Sequence, residues 1–133
     1  MKRWLVISAR ITIVIYLALV AYVCFGHNFS FLPDLSKPLF GLIPKDKVIH
    51  FIMFLPFPVL MYYAVGKRYG RKILPAILMF LIAGCIVAGL TELGQGLTIY
   101  RKMSVWDFVA DSAALVLSSL IVIAIDTIAC HKK

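Results

Sequence analysis

Of 133 residues, 62% are hydrophobic and only 15% are charged, where a soluble domain carries about 25% charge. One water-soluble core of this length cannot hide so much apolar surface, so the composition excludes an ordinary soluble domain and leaves no room for a second one. The net charge of +8 comes from short basic clusters flanking apolar runs, a pattern of membrane topology rather than of nucleic-acid binding.

A spanning helix needs about 20 mostly apolar residues, and residues 5–25 supply the first. Met1-Lys2-Arg3 ahead of it is compatible with a secretory leader, but no convincing small-residue cleavage site follows, so the run is expected to be a mature helix. Segment 26–47 contains Phe29, Phe31, Leu39 and Phe40, too apolar for a free aqueous loop, while Pro33, Pro38 and Pro44 oppose a continuous helix. It is expected to be a partly embedded outer loop. The second span covers 46–65, with Pro56 and Pro58 predicted to kink or widen it, because each removes a backbone donor and crowds the preceding turn. A basic connector, 66–72, leads to the third span at 73–92, and a short segment to the fourth at 105–125. The expected fold is therefore all-α: a single membrane domain over 1–133, built as a four-helix transmembrane bundle.

Gly84 with Ala88, and Ala114 with Ser118, are small residues four apart, which predicts close packing of the third span on the fourth. Cys24, Cys85 and Cys130 fall on separate helices without metal-type spacing and are expected to be packing residues. Nine Lys and Arg residues, among them Lys2, Arg3, Arg10, Lys67 and Lys133, flank one side of the spans. Five, namely Lys37, Lys45, Lys47, Arg101 and Lys102, flank the other. The positive-inside rule then puts both termini in the cytoplasm. Asp34, Asp46, Glu92, Asp107 and Asp111 fall outside, and Asp126 alone inside.

That asymmetry gathers polar groups at one depth. Asp46 and His50 are four apart, Glu92 and Gln95 three apart, and Asp107 and Asp111 four apart, so each pair shares a helix face. Ionisable groups in hydrocarbon cost several kcal/mol unless they turn inward to partners, which makes a functional site the default expectation. The competing explanation is that they are interfacial caps and salt bridges. Asp46 and Asp107 near helix N-termini suit it, but it leaves His50, Glu92 and Asp111 unexplained. At the other end, Arg10 and Asp126 lie at similar depth and are candidates for an ion pair, against snorkelling of the arginine and wetting of the aspartate.

The stretches Asp46-Lys47-Val48-Ile49-His50-Phe51, Glu92-Leu93-Gly94-Gln95 and Arg101-Lys102-Met103-Ser104-Val105-Trp106-Asp107 occur in this order between residues 46 and 118. Together they resemble the VanZ-like family of small bacterial membrane proteins, named for a protein associated with teicoplanin resistance. Asp111 stands where that family usually has Asn, turning amide donors into acceptors, and Ala114 and Ser118 replace family glycines. The resemblance implies a multi-pass protein of the bacterial cytoplasmic (inner) membrane, with a part in the cell envelope and in glycopeptide resistance.

Three functions follow, in order. The first is a non-catalytic envelope factor that binds a lipid-linked cell-wall precursor or a phospholipid headgroup at its outer face. In it, Arg101 and Lys47 hold phosphate, and Gln95, Ser104, Asp111 and the other carboxylates read hydroxyls or amines. The second is a small membrane enzyme with His50 or Glu92 as general base, Asp46 orienting His50, Asp107 beside them and Arg101 stabilising charge. The third is a metal site or cation pathway, weakened as a pathway because the sequence offers almost no polar groups below Asp111. No cofactor is expected, and the lipid bilayer is the expected partner.

Overall fold

The computed structural model describes residues 3–26, 38–39, 43–65, 73–99 and 102–131. Helix α1 runs Arg3–Phe25, a two-residue strand β1 covers Pro38–Leu39 and β2 covers Ile43–Pro44, and α2 (Lys45–Phe54), α3 (Phe57–Val65), α4 (Ile73–Gly96) and α5 (Val105–His131) follow. Lys45–Val65 forms one span of 21 residues, so among the described residues four helices are long and apolar enough to cross a membrane. At 1.5 Å per residue, even this one reaches about 30 Å, the thickness of the hydrocarbon core. The all-α fold expected from the sequence is what forms. The chain is a multi-pass protein whose outward surface suits lipid: Trp4, Ile11, Val14, Leu90, Leu93 and Leu120 are all exposed.

α5 is the centre of the bundle, packing against α2, α3 and α4, while α1 lies outside it against α3 and, less extensively, α4. α1 accordingly buries only Val20 and Cys24. The small-residue seam works as its spacing predicts. Ala88 and Ala114 have no exposure, and a Cβ built on Gly84 would stand 2.6 Å from Leu115 Cδ2, so α4 and α5 approach closely because Gly84 carries no side chain. None of the three cysteines forms a disulfide; Cys24 is buried, Cys85 half-buried and Cys130 exposed.

The second span departs from one continuous helix. Leu55 and Pro56 form a turn that separates α2 from α3. Pro56 cannot donate to the Ile52 carbonyl, nor Pro58 to that of Phe54, so the ladder lapses for a turn. Pro58 is tolerated because it sits in the first turn of α3, where N–H groups lack intrahelical acceptors anyway. Leu60 N–H resumes the ladder on the Pro56 carbonyl at 2.9 Å. Next to the break, the Tyr16 hydroxyl of α1 donates to the Met53 carbonyl at 2.5 Å, a contact that ties α1 to the kinked span.

Two helix ends extend past their expected limits. α4 continues to Gly96, bringing Gln95 inside it, and α5 continues to His131. Of the expected embedded loop, 27–37 and 40–42 lie outside the described residues. What is described is an antiparallel ladder pairing Pro38 with Pro44 and Leu39 with Ile43, which leads directly into α2. The candidate Arg10–Asp126 ion pair does not form. Because α1 rests on α3, Arg10 Nε donates to the Ala64 carbonyl at 3.3 Å, and Asp126 accepts from the Tyr62 hydroxyl of α3 at 2.7 Å.

Candidate functional site

Where α2, the end of α4 and the start of α5 meet, four ionisable side chains are buried together: His50, Glu92, Asp107 and Asp111, none more than 4% exposed. They come from three helices, as the shared spacing predicts. The i, i+4 pair Asp107 and Asp111 faces inward on α5, His50 points at it from α2, and Glu92 and Gln95 share the inward face of α4.

Their contacts are directional. His50 Nδ1 lies 3.1 Å from Asp111 Oδ1 and 3.3 Å from Oδ2, and 3.6 Å from Glu92 Oε1. On the opposite edge of the ring, His50 Nε2 is 3.9 Å from Asp107 Oδ2. The other oxygen of Asp107 receives Lys47 Nζ at 2.6 Å. Asp46, half-buried, joins His50 and Asp107 in a second group whose ligand atoms lie within 4.8 Å of one another. The group hydrogen-bonded to His50 Nδ1 is thus Asp111 of α5, the role assigned from sequence to Asp46.

The start of α5 shows why capping does not explain these residues. Ser104 precedes the helix, and its carbonyl accepts from the Asp107 and Phe108 N–H groups at 3.1 and 3.3 Å. In a capping box, the side chain at the Asp107 position would turn back to the Ser104 N–H. Here that N–H donates across the bundle to Glu92 Oε2 at 3.0 Å, while the Asp107 carboxylate faces Lys47 and His50. The start of α5 has exchanged a reciprocal local cap for a contact that builds the site.

Donors run short within it. Among the described residues, Glu92 Oε1 and Gln95 Nε2 are buried without a hydrogen-bond partner, and an orphaned buried polar atom costs about 1–3 kcal/mol. Glu92 also lines a cleft between α4 and α5 whose other walls are Gly89, Leu93, Met103, Ser104, Val105 and Phe108. Among the described residues, Glu92 is thus the one ionisable side chain lining an apolar opening in the bundle wall. Arg101, the expected phosphate clamp, lies outside the described residues. Lys102 is exposed, and Lys47 is committed to Asp107.

Sequence reasoning missed part of the buried polarity. Ser118 and Ser119 of α5 are buried with no hydrogen-bond partner for their hydroxyls among the described residues, whereas in the sequence Ser118 stands out only for its small size. Ser118 follows Asp111 by seven residues, two helical turns on the same face, and that spacing was the available signal. Tyr62, the partner of Asp126, carried no signal beyond being a tyrosine inside a span. No protein-family model, curated protein or solved structure matches the chain.

Proposed function

We propose that this chain is a VanZ-like envelope protein of the bacterial cytoplasmic membrane, with both termini cytoplasmic. Its polar site faces outward and binds the head of a lipid-linked or phosphate-bearing envelope ligand, the basis for a contribution to teicoplanin-type resistance. The observation that carries this reading is the cleft: an apolar opening between α4 and α5 lined by Glu92, whose Oε1 has no hydrogen-bond partner among the described residues. An amphiphile matches that layout, its chain against Leu93, Val105 and Phe108 and its hydroxyls or amines at the carboxylates. Its phosphate would meet Lys102, exposed one residue before the Met103–Ser104 wall, and Arg101, which precedes it in sequence.

The test is retention of a polyprenyl phosphate by the full chain in nanodiscs, followed by native mass spectrometry. The unmodified protein is expected to retain about one molecule. Phe108→Trp, which fills the cleft, and Glu92→Gln should each reduce retention at least tenfold, and equal retention by both variants would refute the site. Orientation has its own test, since a reporter active only in the cytoplasm should give signal when fused to Lys133. Signal from a periplasm-selective reporter instead would turn the polar site inward.

One observation favours an enzyme as the second reading. The His50 Nδ1 to Asp111 contact at 3.1 Å is the arrangement in which a carboxylate fixes an imidazole for acid–base chemistry at Nε2. Turnover of the retained lipid, abolished by His50→Gln in a folded protein, would establish it over simple binding.

A further inference from the structure

Four carboxylates, those of Asp46, Glu92, Asp107 and Asp111, converge at the end of a bundle that otherwise meets lipid. The basic groups the structure places among them are Lys47 and the His50 imidazole. A proton on His50 does not complete the arrangement. Nδ1 carries at most one N–H, and with Asp111 Oδ1 at 3.1 Å and Glu92 Oε1 at 3.6 Å it satisfies one carboxylate and leaves the other. The oxygen left over is Glu92 Oε1, buried and without a hydrogen-bond partner among the described residues.

We propose that His50 Nδ1, Glu92 Oε1 and one Asp111 carboxylate oxygen bind a single divalent transition-metal ion of the Zn2+ type, with its fourth position toward the cleft.

Distances support this first. Zn–N and Zn–O bonds of about 2.0–2.2 Å in a tetrahedron separate ligand atoms by about 3.3–3.6 Å. The two edges at Nδ1 are 3.1 and 3.6 Å, and all three ligand atoms lie within 4.8 Å of one another. The surroundings support it next. A metal-bound imidazole usually gives its remaining N–H to a carboxylate, and ligating carboxylates are themselves hydrogen-bonded. Here the free ring edge, Nε2, faces Asp107 at 3.9 Å, Asp107 is anchored by Lys47 at 2.6 Å, and Glu92 Oε2 is fixed by the Ser104 N–H at 3.0 Å. The contact that would orient Glu92 is made, and the Asp107 carboxylate lies a few tenths of an ångström beyond hydrogen-bond reach of Nε2. One imidazole with two carboxylates suits Zn2+ or Mn2+ better than Ca2+, which takes six to eight oxygens.

The ion also removes an electrostatic difficulty: a phosphate does not enter a carboxylate cluster, but it does ligate a cation held there. That bridging role rests on the ligand reading above, whereas the metal site stands without it.

The experiment uses the full chain in nanodiscs, stripped by chelator and titrated with Zn2+ alone. One Zn2+ per chain is expected, with Glu92→Gln and Asp111→Asn each weakening binding at least tenfold. His27→Gln/His131→Gln, which removes the other two histidines, should bind as the unmodified protein does. A stoichiometry well below one with no thermal shift overturns the site, as does undiminished binding in both carboxylate variants. Should either variant fail to fold, pulsed EPR of Mn2+-loaded His27→Gln/His131→Gln protein decides. Coupling to an imidazole nitrogen supports the site, and its absence overturns it. Polyprenyl phosphate retention is measured separately, with and without chelator. Zn2+ binding with chelator-insensitive retention overturns the bridge and leaves the metal site, and absence of Zn2+ binding overturns the metal site whatever the lipid does.

Discussion

The two ends of α5 carry buried or half-buried acids, but they treat them differently. At the far end, Asp126 takes one hydrogen bond from Tyr62, and Arg10 gives one to the Ala64 carbonyl. At the near end, about 22 Å along the helix from Asp126 to Asp111, Glu92 keeps an oxygen without a hydrogen bond among the described residues and His50 stands between carboxylates on both ring edges. Polar groups that serve only the fold are expected in matched sets, because an orphan in a low-dielectric interior is costly. The far end meets that expectation. The near end exceeds it in acceptors, and that surplus is what marks it as a site.

Variants can break or sharpen this contrast. The largest effect is expected from Lys47→Met, which leaves the buried Asp107 carboxylate without its 2.6 Å partner. Loss of about 3 kcal/mol in reversible unfolding is predicted, the low end for a broken buried pair because Lys47 is partly exposed. Gly84→Val comes next, since a Cβ there already meets Leu115 at 2.6 and 2.8 Å. Overpacking should cost about 2 kcal/mol and loosen the α4–α5 seam that carries the site. Tyr62→Phe should cost about 1 kcal/mol, a typical net hydrogen bond, and leave ligand binding unchanged. A double-mutant cycle of Tyr62→Phe with Asp126→Asn should show coupling of about 0.5 kcal/mol or more. Additivity would mean that the far-end contact contributes nothing and would blunt the contrast.

How much of this was legible depended on whether a feature lives on one helix or between two. Span positions follow from apolar run length, and the grouping of Asp46, His50, Glu92, Gln95, Asp107 and Asp111 at one depth follows from counting turns. Partner choice does not, because hydropathy says little about which helices are neighbours or how each is rotated. Arg10 and Asp126 have matching depth, yet α1 lies against α3, so Arg10 meets Ala64 while Tyr62 reaches Asp126. His50 is served by Asp111 across the bundle although Asp46 sits one turn away on its own helix. The split of the second span was half legible: Pro56 and Pro58 predict a disturbance, but the turn at Leu55 and Pro56, and the Tyr16 hydroxyl at the Met53 carbonyl, depend on α1 being adjacent.

The central claim is that the near-end acids are kept for a ligand and not for the fold, and Glu92→Gln tests it most directly. The substitution keeps size and removes the charge at the unpartnered Oε1. Measured on one preparation, first with chelator and then with Zn2+ and polyprenyl phosphate, chelator-treated Glu92→Gln should unfold within about 1 kcal/mol of the unmodified protein, because the amide oxygen can keep the Ser104 N–H and a net hydrogen bond is worth about that much. Its retention of metal and lipid should fall at least tenfold. Destabilisation of several kcal/mol with retention intact would contradict the account and make Glu92 a structural residue.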